Sequence, residues 1–313
     1  MPNAVDAGPH DVVALDLQRS DTPPVPSGIP GGSVPLTLPD AQESGVATGQ
    51  AAWITAGSPF KSGHNEDALA AIPLSTERGM LLVADGLGGH RGGRRASQLI
   101  RSLLTKAARQ YSVPPRTLLL SKLVPVPSSL RPATPDPRSL ILDEIERANQ
   151  RLLRSRAGSA TTLALVEIHG NRVRTYHIGD SEILILSQRG RIKFSSVSHS
   201  PVGYAVESGM LTEEQALFHP DRHLVSNVLG SEQMSIELGP WVTLSPRDTV
   251  LLASDGLFDN LLQWEIVEGI RKGKLADGVN TLARLAWQRM LHPDHDAPSK
   301  PDDLTILAFR LAG

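Results

Sequence analysis

"LLVADGLGGHRGG" (81–93) is the stretch on which the reading of this chain turns. Residues 81–84 are apolar without interruption, the pattern of a strand covered on both faces. The run stops at one acid, Asp85, and five of the next eight residues are glycine. A carboxylate at the edge of a core is costly unless an ion pair or a cation holds it. Glycine lets the following backbone turn sharply and pass close to whatever sits there.

The same context recurs along the chain. Asp255 follows "VLLAS" (250–254), and Asp180 follows "VRTYHIG" (173–179). Glu66 and Asp67 precede "ALAAI" (68–72), and Asp302 and Asp303 precede "LTILAF" (304–309). Each acid lies where an apolar strand meets a loop, with no matching set of Lys or Arg beside it in sequence. Taken singly, such acids are turn formers or helix N-caps, and Asp259 reads as an N-cap. Taken together, they point to cations that compensate the charge. The donors are oxygens alone, which favours hard ions: Mg²⁺, Mn²⁺ or Ca²⁺.

Composition narrows the function classes. The chain has 313 residues, 40% of them hydrophobic, enough for a sizeable core. Its net charge of -2 gives no global basic field for nucleic acid or anionic membrane. There is no cysteine, which excludes disulfides, thiolate zinc sites and cysteine nucleophiles. The first residues lack the pattern of a signal peptide, and no apolar run approaches the ~20 residues of a membrane helix. The expectation is a cytoplasmic monomer with no nucleic-acid or membrane partner.

Residues 1–47 are rich in Pro, Gly, Ser and Asp and read as a disordered tail. A single domain is expected over 48–313. It opens with three strand-like segments, "AAWITAG", "DALAAIPL" and "GMLLVAD". Helical periodicity follows over 94–110 and again over 138–156, separated by a Pro-rich insertion at 111–137. Four further strands then read as an antiparallel meander. A strand ending at Asp255, two helices at about 259–272 and 275–291, and a closing strand "DLTILAFRL" complete the chain. Strands in runs and helices in pairs predict an α+β fold with antiparallel sheets.

The motifs "HNEDALAAI", "VADGLGGHRGGRRAS", "GSATTLALVEI", "HIGDSEILIL", "LLASDGLFDNL" and "DDLTILAF" occur in the order seen in the metal-dependent protein phosphatases of type 2C (PPM), in bacterial-like wording. The resemblance covers about residues 48–312. A P-loop reading of "GLGGHRGG" is poorer, because no "GK[ST]" follows. The resemblance implies a four-layer α-β-β-α sandwich, two mainly antiparallel sheets flanked by helices. It implies hydrolysis of phosphoserine and phosphothreonine by a metal-activated water at a binuclear Mn²⁺ or Mg²⁺ centre, with a weaker third site. Asp85 matches the acid that bridges two metals, and the Gly86 carbonyl and Glu66 match ligands of one of them. Asp255 and Asp302 match ligands of the other, and Asp180 resembles an acid of the third site. Asp67 matches an acid supporting a metal-bound water. His90 and His64 are the two candidates for proton donor to the leaving oxygen.

Three departures stand out. Lys61 is the nearest cation where the family carries a phosphate-gripping arginine, and lysine offers a point charge instead of a fork. Glu182 replaces the arginine of the usual "GDSR". The usual "DN" is Asp302–Asp303. The implied partners are phosphorylated protein substrates and a cognate Ser/Thr kinase. A catalytically weak scaffold that binds a phosphoprotein is the alternative.

Overall fold

The computed structural model describes residues 38–61, 64–88, 92–112, 136–155, 157–294 and 297–312. In chain order the elements begin with β1 (Gln42–Val46), β2 (Gly49–Ala56), β3 (Ala68–Pro73), β4 (Arg78–Ala84) and β5 (Gly86–Leu87). Helices α1 (Gly92–Ser112) and α2 (Pro137–Ser155) follow, then β6 (Ala160–Thr161), β7 (Leu163–His169), β8 (Arg172–Ile178), β9 (Glu182–Leu186) and β10 (Ile192–Ser195). Next come α3 (Pro201–Glu207), α4 (Glu213–Leu217) and a 3-10 turn (Pro220–His223). The chain continues through β11 (Glu237–Leu238), β12 (Val242–Thr243), β13 (Thr249–Ala253), α5 (Asp255–Phe258), α6 (Gln263–Ile270), α7 (Leu275–Leu291) and β14 (Leu304–Leu311).

Two antiparallel sheets stack face to face. One runs β1-β2-β14-β13-β9-β10. The other runs β11-β8-β7-β4-β3, with β12 also on β8. β14 shows why these strands read as unbroken apolar runs. Leu307, Phe309 and Leu311 face the opposite sheet with Trp53, Leu69, Val83 and Val166. Leu304, Ile306 and Ala308, of opposite parity, face α6 and α7 through Ile266, Val279 and Trp287. Both sides of the strand are buried, so no polar alternation survives. On the far side, Ile72, Leu82 and Leu165 pack under α1 and α2 through Ile100, Leu104 and Ile145. This is the four-layer α-β-β-α sandwich.

Strand register brings the acids to one edge. Ala68 pairs with Ala84, so Asp67 and Asp85 leave β3 and β4 side by side. Ala253 pairs with Ile306 and, on its other flank, with Glu182. That sets Asp255, Asp302 and Asp180 around the ends of β13, β14 and β9. Leu163 pairs with Ile178, completing the same edge from the second sheet.

The structure corrects the sequence reading in three places. The tail was expected to reach 47, yet Gln42–Val46 pairs with β2 along its length. Its polar sequence belongs to an outer, mostly exposed edge strand. It is anchored by Trp53 Nε1–H donating to Gln42 Oε1 at 3.2 Å, and Ala41 N–H donates to Asn280 Oδ1 at 2.8 Å. The Pro-rich insertion was expected over 111–137, but α1 extends to Ser112 and α2 starts at Pro137, where proline suits a first helical turn. Residues 1–37 and 113–135 of those two segments lie outside the described residues. Asp259 does not cap the N-terminus of a helix: α6 begins at Gln263, and Asp259 ends the short α5.

Phe309 is fully buried between the sheets. Phe309→Ala is expected to cost about 3–5 kcal/mol, the usual range for a buried aromatic removed from a core. A lowered midpoint in urea unfolding with an unchanged slope is the outcome that checks it.

Candidate metal centre

The loop after Asp85 is built for close approach. β5 pairs with β6, Gly86 opposite Thr161. A Cβ on Gly86 would lie 2.3 Å from the Gly93 backbone and 2.8 Å from the Glu66 carbonyl. A Cβ on Gly93 would lie 2.4 Å from the Gly86 carbonyl and 2.7 Å from Glu66 Oε1. No side chain fits between the start of α1, the Asp85–Gly86 loop and Glu66. That juxtaposition accounts for the glycines at 86 and 93.

Asp85 is fixed through its backbone. Its N–H donates to Thr162 Oγ1 at 2.9 Å, and its carbonyl accepts from Thr162 N–H at 2.9 Å and Thr161 Oγ1 at 2.6 Å. Thr162 Oγ1 lies 2.6 Å from Ser181 Oγ, next to Asp180. Asp303 plays a different part from its neighbour. Its two carboxylate oxygens accept from Ser58 N–H at 2.7 Å and Glu66 N–H at 2.8 Å, tying the Glu66–Asp67 loop to the start of β14. Asp67 accepts from Ser254 Oγ at 2.9 Å. Ser97 Oγ, from α1, donates to the Glu66 carbonyl at 2.6 Å.

Crowding shows in the acid strengths. Burial, and then Asp67, Asp255, Asp180 and Asp302, hold the Asp85 carboxyl well above its ordinary value. Burial and Asp303 push Asp67 up to about 8, against hydrogen bonds from Thr305 and Ser254. Burial and Asp255 push Asp180 up to about 7. The six acids Asp67, Asp85, Asp180, Asp255, Asp302 and Asp303 therefore stand within electrostatic reach of one another.

Two lysines enter this cluster, too few to match the acids. Lys61 Nζ donates to Asp302 Oδ1 and sits 3.9 Å from Asp303 Oδ2. Burial opposes its charge, but Asp302, Asp303 and Asp85 hold the ammonium above its ordinary value. Lys300 Nζ donates to Asp255 Oδ2 at 2.6 Å and to Asp259 Oδ2. Its backbone is held by Asn260, whose Oδ1 accepts from Lys300 N–H at 2.8 Å and whose Nδ2 donates to the Lys300 carbonyl at 2.9 Å. Sequence reasoning missed Lys300 because its partner Asp255 is 45 residues away. The one local signal was its place directly before Pro301 and the Asp302–Asp303 pair.

The structure brings together Asp67, Asp85, Gly86, Glu66, Asp180, Asp255, Asp302 and Lys61. His64 is exposed on the loop two residues before Glu66. His90 lies outside the described residues. Glu182 opens β9 and lines a cavity of about 270 Å³ with Asp180, Asp255, Phe258, Asp259 and Arg222. Burial, then Asp259, Asp180 and Glu213, push its carboxyl up to about 8.

The residues present fit divalent cations. Asp180 Oδ1 is buried with no hydrogen-bond partner among the described residues, an oxygen lacking the counter-group a buried acid requires. The donors are carboxylates and a backbone carbonyl, the set that hard ions take. Two lysines do not balance the acids, and burial, followed by repulsion among the remainder, raises Asp85.

A sandwich whose strand ends gather carboxylates for hard cations defines the frame of a metal-dependent protein. A family model described as protein phosphatase 2C matches residues 61–291, and the chain belongs to that family. It is a metal-dependent phosphoprotein phosphatase. Among its relatives is the serine/threonine protein phosphatase PstP of Mycobacterium tuberculosis, 30% identical over 247 residues, which cover 78% of this chain. The chain spans 41% of the length of that relative. Protein phosphatase PhpP of Streptococcus pneumoniae is 28% identical over 72% of this chain and 87% of its own. The fold matches the Streptococcus agalactiae serine/threonine phosphatase with a TM-score of 0.65 and 24% identity, over 83% of this chain and 98% of that one. It also matches the PstP catalytic domain solved with two manganese ions, at a TM-score of 0.62 and 23% identity, over 84% and 98%.

The raised acids carry a stability prediction. In the cation-free protein, Asp67 and Asp180 hold their protons more tightly folded than unfolded. The stability these two groups contribute is full below the ordinary carboxylate value of 3.8 and is lost as pH rises through about 7 and about 8. Melting in EDTA should fall between about pH 5 and pH 8, and the upward shift given by Mn²⁺ should grow over the same range. Thermal unfolding followed by circular dichroism at both ends of that range checks it.

Proposed function

We propose that the chain hydrolyses phosphoserine and phosphothreonine in protein substrates at the edge where β3, β4, β13 and β14 converge. The observation that carries the reading is the position of Asp85: fixed by its backbone, half-buried, and surrounded by four other aspartates whose repulsion calls for cations. Asp85, Glu66, the Gly86 carbonyl, Asp255 and Asp302 would hold two Mn²⁺ or Mg²⁺ ions, with Asp180 and Asp255 at a weaker third site. Bound there, such ions supply a water acidic enough to act as nucleophile at neutral pH and neutralise the phosphate oxygens.

The chain's own residues do the rest. Asp67, which accepts from Ser254 Oγ, would serve as the acceptor that orients such a water. Lys61 presents an ammonium at the mouth of the site, paired with Asp302 and partly exposed, where it meets the phosphate as a point charge. Lys300 neutralises Asp255 and Asp259. The leaving serine or threonine oxygen needs a proton, and His64 and His90 remain the two donors proposed for it. Positioning and charge dominate such a transfer, because the phosphoryl group asks little covalent chemistry of the protein.

The catalytic domain in this reading runs from β1 to β14. Among the described residues, no helix is long and apolar enough to cross a membrane. A Ser/Thr kinase would supply the substrate, and the enzyme would act as a cytoplasmic monomer. The acid set is complete, so no observation favours a non-catalytic scaffold.

Hydrolysis of p-nitrophenyl phosphate and of a phosphothreonine peptide, with Mn²⁺, Mg²⁺ or EDTA, tests the reading. Turnover should require metal and fall at least about a hundredfold in Asp85→Asn and Asp255→Asn. A folded protein that turns over neither substrate with either metal would sink it.

A further inference from the structure

A second cluster lies beside the metal centre. His177, His199 and Glu237 each offer a ligand-type atom, all within 4.8 Å of one another. Hydrogen bonding rules out a cation between them. Gly179 N–H donates to His199 Nδ1 at 3.1 Å, and Asn227 Nδ2 donates to the same nitrogen at 2.9 Å. Asn227 cannot be turned over, because its Oδ1 accepts from Ser235 N–H at 3.0 Å while its Nδ2 donates to the Ser235 carbonyl at 2.8 Å. His199 Nδ1 therefore carries no hydrogen, and Nε2 carries it. Nε2–H donates to Glu237 Oε2 at 2.9 Å, so the nitrogen facing the cluster has no lone pair for a metal.

The same bonds describe a clamp. His199 holds both polar groups of Gly179: its ring Nδ1 accepts from the Gly179 N–H, and its backbone N–H donates to the Gly179 carbonyl at 2.8 Å. Gly179 sits at φ +101°, and a Cβ there would meet Thr162 at 2.7 Å. Its neighbour is Asp180. On the other flank of Asp180, His177 Nε2–H donates to the Ser181 carbonyl at 2.8 Å. His199 in turn directly precedes Ser200, whose hydroxyl caps α3 by accepting from Gly203 N–H at 2.8 Å.

We propose that His199 is a positioning residue for Asp180, with Glu237 fixing its tautomer, and that it joins the segment from α3 to the 3-10 turn to the metal centre. The proposal rests on the reading of Asp180 as a cation ligand. His199 touches no reacting atom. It acts by holding the φ +101° turn that aims the Asp180 carboxylate, the role that second-layer hydrogen bonds play around metal ligands.

The test is the Mn²⁺ isotherm of the full chain, measured by calorimetry beside thermal melting. Asp180→Asn is the reference and should weaken or abolish the weakest class of sites. His199→Leu should weaken that class about tenfold. His199→Asn, whose Oδ1 can accept from Gly179 N–H in place of Nδ1, should stay within about threefold of wild type. Adding His199→Leu to Asp180→Asn should give no further loss. Should His199→Leu fail to fold, Glu237→Leu, at a side chain 43% exposed, takes its place and should weaken the same class while Glu237→Gln does not. Unchanged binding in His199→Leu, or in Glu237→Leu where that stands in, with Asp180→Asn impaired, overturns the clamp. Equal loss in His199→Leu and His199→Asn does the same. Unchanged binding in Asp180→Asn overturns the reading of Asp180, and the proposal with it.

Discussion

Repulsion among crowded, half-buried carboxylates is the constraint around which this molecule is arranged. Asp85 is surrounded by Asp67, Asp180, Asp255 and Asp302, and each comes from a different strand junction. No local segment could hold them there. Pairings such as Ala68–Ala84 and Ala253–Ile306 do so, and the close-packed cores on either side of the sheets keep those pairings in register. A slip of one residue in β14 would turn Phe309 from the inter-sheet core toward α7 and displace Asp302 together with it. Stability of the sandwich and geometry of the site are thus one property.

That arrangement also sorts the acids by duty. Asp303 and Asp302 are adjacent in sequence and do different work. Asp303 is spent on the Ser58 and Glu66 amides and makes the loop rigid, while Asp302 faces Lys61. Asp255 and Asp259 share Lys300, which relieves one side of the cluster and leaves the other to be relieved by cations. A protein that neutralised every acid with lysine would have nothing left to bind metal.

Much of this was legible in the sequence because the signals were local. Apolar runs that stop at an acid announced β4, β13 and β14 and the acids they carry. Glycines 86 and 93 announced a close approach, and the structure shows each would strike the other's backbone. What escaped was non-local or low in contrast. Lys300 and Lys61 meet acids far along the chain, so no window of sequence holds both partners. β1 is polar because it lies at an edge, and composition alone could not separate it from a tail. His199 sits in a loop of ordinary composition, and its role emerges only from the direction of each hydrogen bond to Gly179.

The order of strands has a consequence for how the site comes into being. β14 is the last strand in chain order, yet it lies between β2 and β13 and carries Asp302 and Asp303 at its start. The two amides that Asp303 holds belong to residues 58 and 66. Contacts that span so much of the chain form late, after the loops between them have closed. Until β14 is in place, β1-β2 and β13-β9-β10 have no strand to join them, and the site lacks Asp302 and Asp303. Assembly of the centre is therefore tied to the docking of β14 between β2 and β13.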